Sequence, residues 1–367
     1  MTRLRPAERI SLVLLLVAFA IGAVFCIIAA FHDVAAFFRV WLVAYLFWLG
    51  LPLCGVTLVL VHDLTGGEWM ETARPALDAA IATMPLATLA GIPAFIGLGS
   101  LYGWTHAKPE LANVFYLNPA GFYLRYAIYV VLWNALAAFA LLGPRDEGEP
   151  IAPALSWLSG VALILLAFSA SFASIDWMLS LLPTFWSSIF PMTAGAGWFN
   201  TGMAIVVLTV VISAPVTPRQ RSHIADLAQI LLATTIFWFY VEFMQFLIIW
   251  EGDLKSEIEW YLRRSAWLPS LYIAIALGFF VPFLVLLWHP AKRSRAVLAI
   301  VCLLMLVGHA AGKWWLVLPI FDASPPLWLA VAAMVALGSL MVLLFSIALR
   351  LGPIRLREMA MWKARHG

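Results

Sequence analysis

The sequence predicts an all-α polytopic membrane protein of ten transmembrane helices, and three observations carry that prediction. Of its 367 residues, 64% are hydrophobic and only 11% charged, a balance foreign to water-soluble domains. Apolar runs long enough to cross ~30 Å of hydrocarbon recur at 10–31, 40–61, 81–102, 122–142, 153–175, 187–212, 225–250, 266–288, 296–320 and 327–349. The segments between the runs are short, so no soluble domain is expected and the membrane-embedded part is the core.

Taken in order, the first run follows Arg3, Arg5 and Arg9. It is too long for a signal peptide and lacks a small-residue cleavage site, so it reads as a retained span. Pro85, Gly91 and Pro93 interrupt the third run and Pro282 the eighth; in hydrocarbon such residues mark kinks whose freed carbonyls are taken by neighbours or water. The stretches GPRDEGEPIAP at 143–153 and APVTPRQRSH at 214–223 carry the proline, glycine and charge content of turns. Trp41, Tyr45, Trp48, Tyr102, Trp104, Trp177 and Trp186 cluster near run ends, as interfacial aromatic belts do. Ten spans place both termini on one side, and 15 of the 22 lysines and arginines belong to that side. By the excess of positive charge in cytoplasmic segments, both termini are expected in the cytoplasm, in a bacterial inner membrane.

A net charge of +3 without a basic run gives nucleic acid nothing to bind. Cys26, Cys54 and Cys302 stand alone in apolar runs and read as packing residues, with no spacing suited to an iron–sulfur cluster. Of the seven histidines, His32, His62, His106, His223, His289 and His366 fall in loops or at interfaces. His309 alone is clearly intramembrane, so a bis-histidine haem has no pair to use.

The chemistry concentrates between Phe237 and Arg264. Glu242 lies inside the seventh run, where a carboxylate costs about 2.5–3.5 kcal/mol on insertion scales and must face protein or a wet cavity. Gln245, three residues on, shares its face. His309 and Lys313 share one face of the ninth run. Lys313 lies roughly 10 Å and Glu242 roughly 12 Å from the same membrane face, counted at 1.5 Å per residue. The two charges are therefore expected at similar depth, either neutralising each other or taking part in proton or quinone chemistry. Asp176, at the end of the fifth run, reads as a helix cap, with an exit-proton group or a partner-orienting group as alternatives. Glu251, Asp253, Glu257 and Glu259, followed by Arg263 and Arg264, read as a solvated loop or as a docking surface.

Several segments carry a family pattern. Ser174-Ile175-Asp176-Trp177-Met178-Leu179-Ser180-Leu181 with Pro183, Trp186, Ser187, Ile189 and Phe190 resembles the Asp-Trp segment of the NrfD-like F subunit of alternative complex III. Gln245 to Trp250 with Gly252, and Trp260-Tyr261-Leu262-Arg263-Arg264, resemble two further segments of that subunit; Thr65 to Trp69 and Tyr116 to Pro119 support them. Glu251 departs from the pattern. The resemblance implies two four-helix bundles, spans two to five (40–175) and six to nine (187–320), with the first (10–31) and tenth (327–349) peripheral. It further implies an integral subunit of a quinol:electron-acceptor oxidoreductase in a respiratory chain. Its expected partners are lipid, a paralogous NrfD-like subunit, an iron–sulfur subunit and a multihaem cytochrome c, the last two holding the iron–sulfur clusters and haem c. On this expectation Glu242, His309, Lys313 and Asp176 belong to a proton path. Gln245 and Trp238 lie near a bound quinone or quinol, and no cofactor is attached covalently. Ten kinked spans with buried charge also suit a secondary transporter, and a purely structural anchor is the third reading.

Overall fold

A computed structural model of the chain describes residues 6–106, 114–143, 153–213, 217–321 and 325–366, those at 6–9 and 353–366 by backbone alone. Among the described residues there is no strand. Ten helices are long and apolar enough to cross a membrane: Ile10–His32, Val34–Thr65, Trp69–Ile96, Pro119–Leu142, Pro153–Leu181, Phe190–Ser213, Pro218–Gly252, Lys255–Leu287, Arg295–Ile320 and Leu327–Gly352. Each crossing reverses the last. The turns after the second, fourth, sixth and eighth spans thus share one face with residue 10, the near face, and the other turns form the far face. Most of the turn expected at 143–153 (144–152) and the start of the one expected at 214–223 (214–216) lie outside the described residues; from Pro218 the second is already helix, which shortens that turn.

Several spans start earlier than their apolar runs because polar residues cap or pair there. The second begins at Val34 because Asp33 Oδ1 accepts from the Ala36 amide at 2.9 Å. The seventh begins at Pro218, where Thr217 and Gln220 cap each other reciprocally and the proline occupies the first helical position, whose amide would be unpaired in any case. The third begins at Trp69 and carries the Arg74–Asp78 ion pair, 2.8 Å, one turn apart along its polar start. Asn118 opens the fourth span by accepting from the Gly121 amide at 2.7 Å, ahead of Pro119.

The two interrupted spans are as the prolines predict, with different outcomes. The third breaks into short helices, Trp69–Ile81, Met84–Leu89, Ile92–Ile96 and Leu98–Leu101. Side chains from its neighbours take carbonyls at the break: Trp41 Nε1 donates to Ala90 O at 2.8 Å, and the Tyr126 hydroxyl donates to Thr88 O. The eighth span turns once after Leu262, then runs unbroken from Leu268 to Leu287, widening into a π-turn at Ala276–Phe280, just before Pro282. A Cβ at Gly308 would lie 2.4 Å from the Gly278 backbone nitrogen, so the ninth span meets the π-turn backbone to backbone.

Spans two, three, four and five pack in a ring, and spans six, seven, eight and nine in a second ring. The first span lies on the tenth, which in turn lies on the second and third. Spans two and six form the main seam between the rings. There a Cβ at Gly202 would fall 2.3 Å from Cys54 Cβ and 2.4 Å from Gly50 O, while one at Gly50 would fall 2.6 Å from Trp198 O. Small residues one turn apart let the backbones touch, which is how helices associate where no hydrophobic effect drives them together.

The aromatic belt is corrected by the structure. Tyr45, Tyr102, Trp104 and Trp177 are buried inside the first ring, and only Trp186 of the seven is well exposed. They turn inward because they pack on one another, Tyr45 and Trp177 edge to face at 5.2 Å, and because Tyr102 donates to Trp177 O at 3.3 Å.

The seam makes a direct prediction. Gly202→Ala forces a methyl into backbone that cannot move aside, so the folded protein in detergent should lose about 1–3 kcal/mol, read as a lowered thermal-aggregation temperature. Gly195→Ala, on the same helix with nothing near its Cβ, should leave that temperature unchanged.

Candidate functional site

The second ring encloses a cavity of about 350 Å³ lined by Trp238, Glu242, Gln245, His309 and Lys313, with Trp260, Tyr261, Trp315 and apolar residues of spans six and eight completing the wall. Glu242 and Gln245 enter from the seventh span because they are three residues apart on one face; His309 and Lys313 enter from the ninth because they are four apart. Five of the six candidate residues read from the sequence are thus brought to one place. Glu242 and Lys313 interact electrostatically across the cavity, but among the described residues no direct ion pair closes between them.

Each polar group has a defined setting. Lys313 Nζ lies 5.9 Å from the centroid of the Trp198 ring and close to Gly197, where a Cβ would stand 3.6 Å away. The Trp238 indole Nε1 lies on the same side, 3.4 Å from that position. His309 Nε2 stands 2.8 Å from Asn200 Oδ1, and its ring meets Trp238 edge to face at 4.5 Å. Ser187 Oγ donates to Gln245 Oε1 at 3.2 Å. Two of the lining tryptophans, Trp260 and Trp315, carry buried indole N–H groups with no acceptor among the described residues.

On the far-face side Arg264 packs behind Trp260 of the cavity wall, which corrects its own reading as part of a solvated loop. Arg264 is fully buried. Its guanidinium stacks 3.5 Å from the centroid of the Trp260 ring, Nη1 donates to Trp260 O at 2.6 Å and Nη2 to Leu316 O at 2.9 Å. Those carbonyls end the helices Lys255–Leu262 and Arg295–Val317, where unpaired acceptors and the negative end of the helix dipole favour a cation. Glu251 and Asp253 are exposed as expected, and Arg263 pairs with Glu259 one turn back at 2.5 Å.

Asp176 does not join the cavity, and its reading as a helix cap is corrected too. It is buried in the first ring, where Arg125 Nε and Nη2 donate to its carboxylate at 2.8–3.0 Å and the Tyr129 hydroxyl donates at 2.7 Å. Tyr116 lies over the guanidinium at 3.9 Å; burial first, then the Asp176 charge, raises its phenol above the ordinary value. The carboxylate is thus paired with one cation and held by three donors. His223, read as an interface residue, is also buried, with Nδ1 2.8 Å from Thr72 Oγ1 across the near-face ends of spans three and seven.

Sequence reasoning missed Arg125, Tyr129, Asn200, Thr234 and Thr235, and it placed Arg264 in a surface loop. Arg125 and Asn200 did carry a signal, since an arginine or an amide inside an apolar run must have a protein partner. The threonines carried none, because a threonine in a membrane helix satisfies itself on its own backbone.

These features define a multi-pass, all-α membrane protein with one polar cavity in its second helical ring. Compared with known proteins, the chain matches no family model and no curated protein.

Breaking a buried pair by removing one partner strands the other charge. Asp176→Ala should therefore cost about 3–5 kcal/mol of stability in detergent, and Arg125→Met in the same chain should recover part of it. A loss no different in the double variant would show that the pair does not act as a unit.

Proposed function

We propose that this chain is an integral membrane subunit of a respiratory quinol:electron-acceptor oxidoreductase of the alternative complex III type. In this reading its own residues supply a quinol-facing cavity and part of a proton path, while haem c and iron–sulfur centres belong to partner subunits. One observation carries the reading. A carboxylate, an ammonium, an imidazole and an amide, none of them cheap to bury in hydrocarbon, converge on a single aromatic-walled cavity instead of cancelling in a closed pair.

The residues suit such a ligand. Trp238, Tyr261 and Trp315 offer flat apolar walls for a ring, Glu242 offers an acceptor, and Lys313 with the free indole N–H groups of Trp260 and Trp315 offers donors. A bound quinol would supply two hydroxyl protons and two electrons. Glu242 then accepts a proton within the cavity, and Lys313 across from it stabilises the carboxylate that does so. Asp176, locked to Arg125, serves as structure.

The transporter reading fares worse on a specific point. Paired interrupted helices in corresponding halves mark such proteins. Here both rings begin at the far face, so span three corresponds to span seven and span eight to span four. The breaks in spans three and eight do not correspond.

Glu242→Gln keeps shape but removes the exchangeable proton. The complex carrying it should assemble and slow quinol turnover by about 100-fold; assembly with unchanged turnover and unchanged proton release would leave Glu242 as structure. The excess of lysine and arginine on the near face favours cytoplasmic termini, so a cysteine placed at the exposed Ser256 should react with an impermeant reagent in intact cells. Reaction from the cytoplasmic side alone would invert the orientation.

A further inference from the structure

The setting of His309 determines more than its position. Thr234 and Thr235 sit side by side on the seventh span, and each hydroxyl donates to the backbone carbonyl of Leu231, at 3.0 and 2.7 Å. A carbonyl can only accept, so each threonine has spent its single hydrogen, and each Oγ is left as an acceptor. Asn200 of the sixth span, fully buried, meets both, with its terminal nitrogen 3.1 Å from Thr234 Oγ1 and 3.2 Å from Thr235 Oγ1. Two acceptors demand the NH₂ end of the amide. A flipped amide would set its oxygen against two hydroxyl oxygens and could gain a hydrogen only from one that left Leu231 O.

The amide oxygen is thereby aimed at His309, and at 2.8 Å from Nε2 it requires a hydrogen on that nitrogen. In a neutral imidazole one nitrogen donates and the other accepts. Nδ1 is then bare, and among the described residues it makes no hydrogen bond. His309 lines the cavity, so the ring presents a lone pair to whatever binds there.

From this chain of donors we infer that Asn200, Thr234 and Thr235 lock His309 into the Nε2–H tautomer, making Nδ1 an acceptor that selects a hydroxyl-bearing, reduced ligand over its carbonyl-bearing, oxidised form. The inference rests on the quinol reading for the identity of the ligand, though not for the tautomer. A hydroxyl donates to Nδ1; a quinone oxygen there faces the lone pair without a hydrogen between them. Asn200 and the threonines are positioning residues, none of them a liner of this cavity except through His309. Trp238 packs edge to face against the ring at 4.5 Å.

Two readouts test this on the full chain in detergent. The first needs no ligand: with ¹⁵N-labelled histidine, His309→Gln identifies the His309 signals. At mildly alkaline pH the protein should show a protonated Nε2 and a bare Nδ1. Asn200→Leu should turn this into a mixture. So should the double variant Thr234→Val with Thr235→Val, which keeps Asn200 against His309 but frees the amide to flip, and so covers a failure of the leucine variant to fold. The second readout compares binding of a short-tailed benzoquinol and the matching benzoquinone. The natural protein should prefer the quinol by about tenfold, the worth of one hydrogen bond, and the double threonine variant should lose that preference while keeping quinone affinity. A proton on Nδ1 in the natural protein, or a tautomer unmoved in both variants, overturns the lock. An Nε2–H tautomer with equal affinity for the two ligands overturns the selection. An Nε2–H tautomer with neither ligand bound leaves the lock standing, overturns the ligand choice and counts against the quinol reading itself.

Discussion

In hydrocarbon no water is available to complete a hydrogen bond, so polar groups within these ten spans have to be satisfied by the protein. The consequences are most visible where the backbone itself is broken. The third span runs as four short helices, an arrangement that would expose carbonyls to lipid if it stood alone. Trp41 of the second span and Tyr126 of the fourth reach those carbonyls, so the broken helix is tolerable only as the centre of a ring. The same constraint draws Arg264 away from water: the ends of two helices present carbonyls at the far face, and one guanidinium closes both while stacking on Trp260.

The two rings meet this constraint in opposite ways. In the first, Arg125, Asp176 and Tyr129 form a closed set and Ser159 donates to the buried Asp63 at 2.6 Å, while the buried Tyr45 hydroxyl and Trp104 indole N–H have no hydrogen-bond partner among the described residues. The second holds Glu242 and Lys313 at matching depth on different helices, yet keeps them apart around a cavity. Charges left open in a membrane interior are costly, whereas those of Arg125 and Asp176 offset each other directly.

Span six joins the two. One face carries Gly202 and Trp198, which lie against Gly50 and Cys54 of span two, with Trp198 Nε1 donating to Leu46 O at 2.7 Å. Another carries Gly197, which faces Lys313 and Trp238, and Asn200, which meets His309. A single helix thus contributes both to the contact between the rings and to the surroundings of the cavity.

Much was determined by sequence alone. The number of spans follows from run length against membrane thickness, and the interruptions of spans three and eight follow from proline's missing N–H. The meeting of Glu242, Gln245, His309 and Lys313 follows from helical spacing and from depth counted along two helices, both local quantities. Tertiary structure decided everything that depends on which helix stands beside which. It made Asp176 half of an ion pair because Arg125 lies on the neighbouring helix, and it buried an arginine and four aromatic residues that their places near the ends of apolar runs assigned to water or to the interface. It also set the direction of every hydrogen bond from Leu231 through Thr234, Thr235 and Asn200 to His309. Spacing along one helix says which residues share a face, but a donor's partner on another helix, 109 residues away in the case of Asn200 and His309, is chosen only when the helices pack.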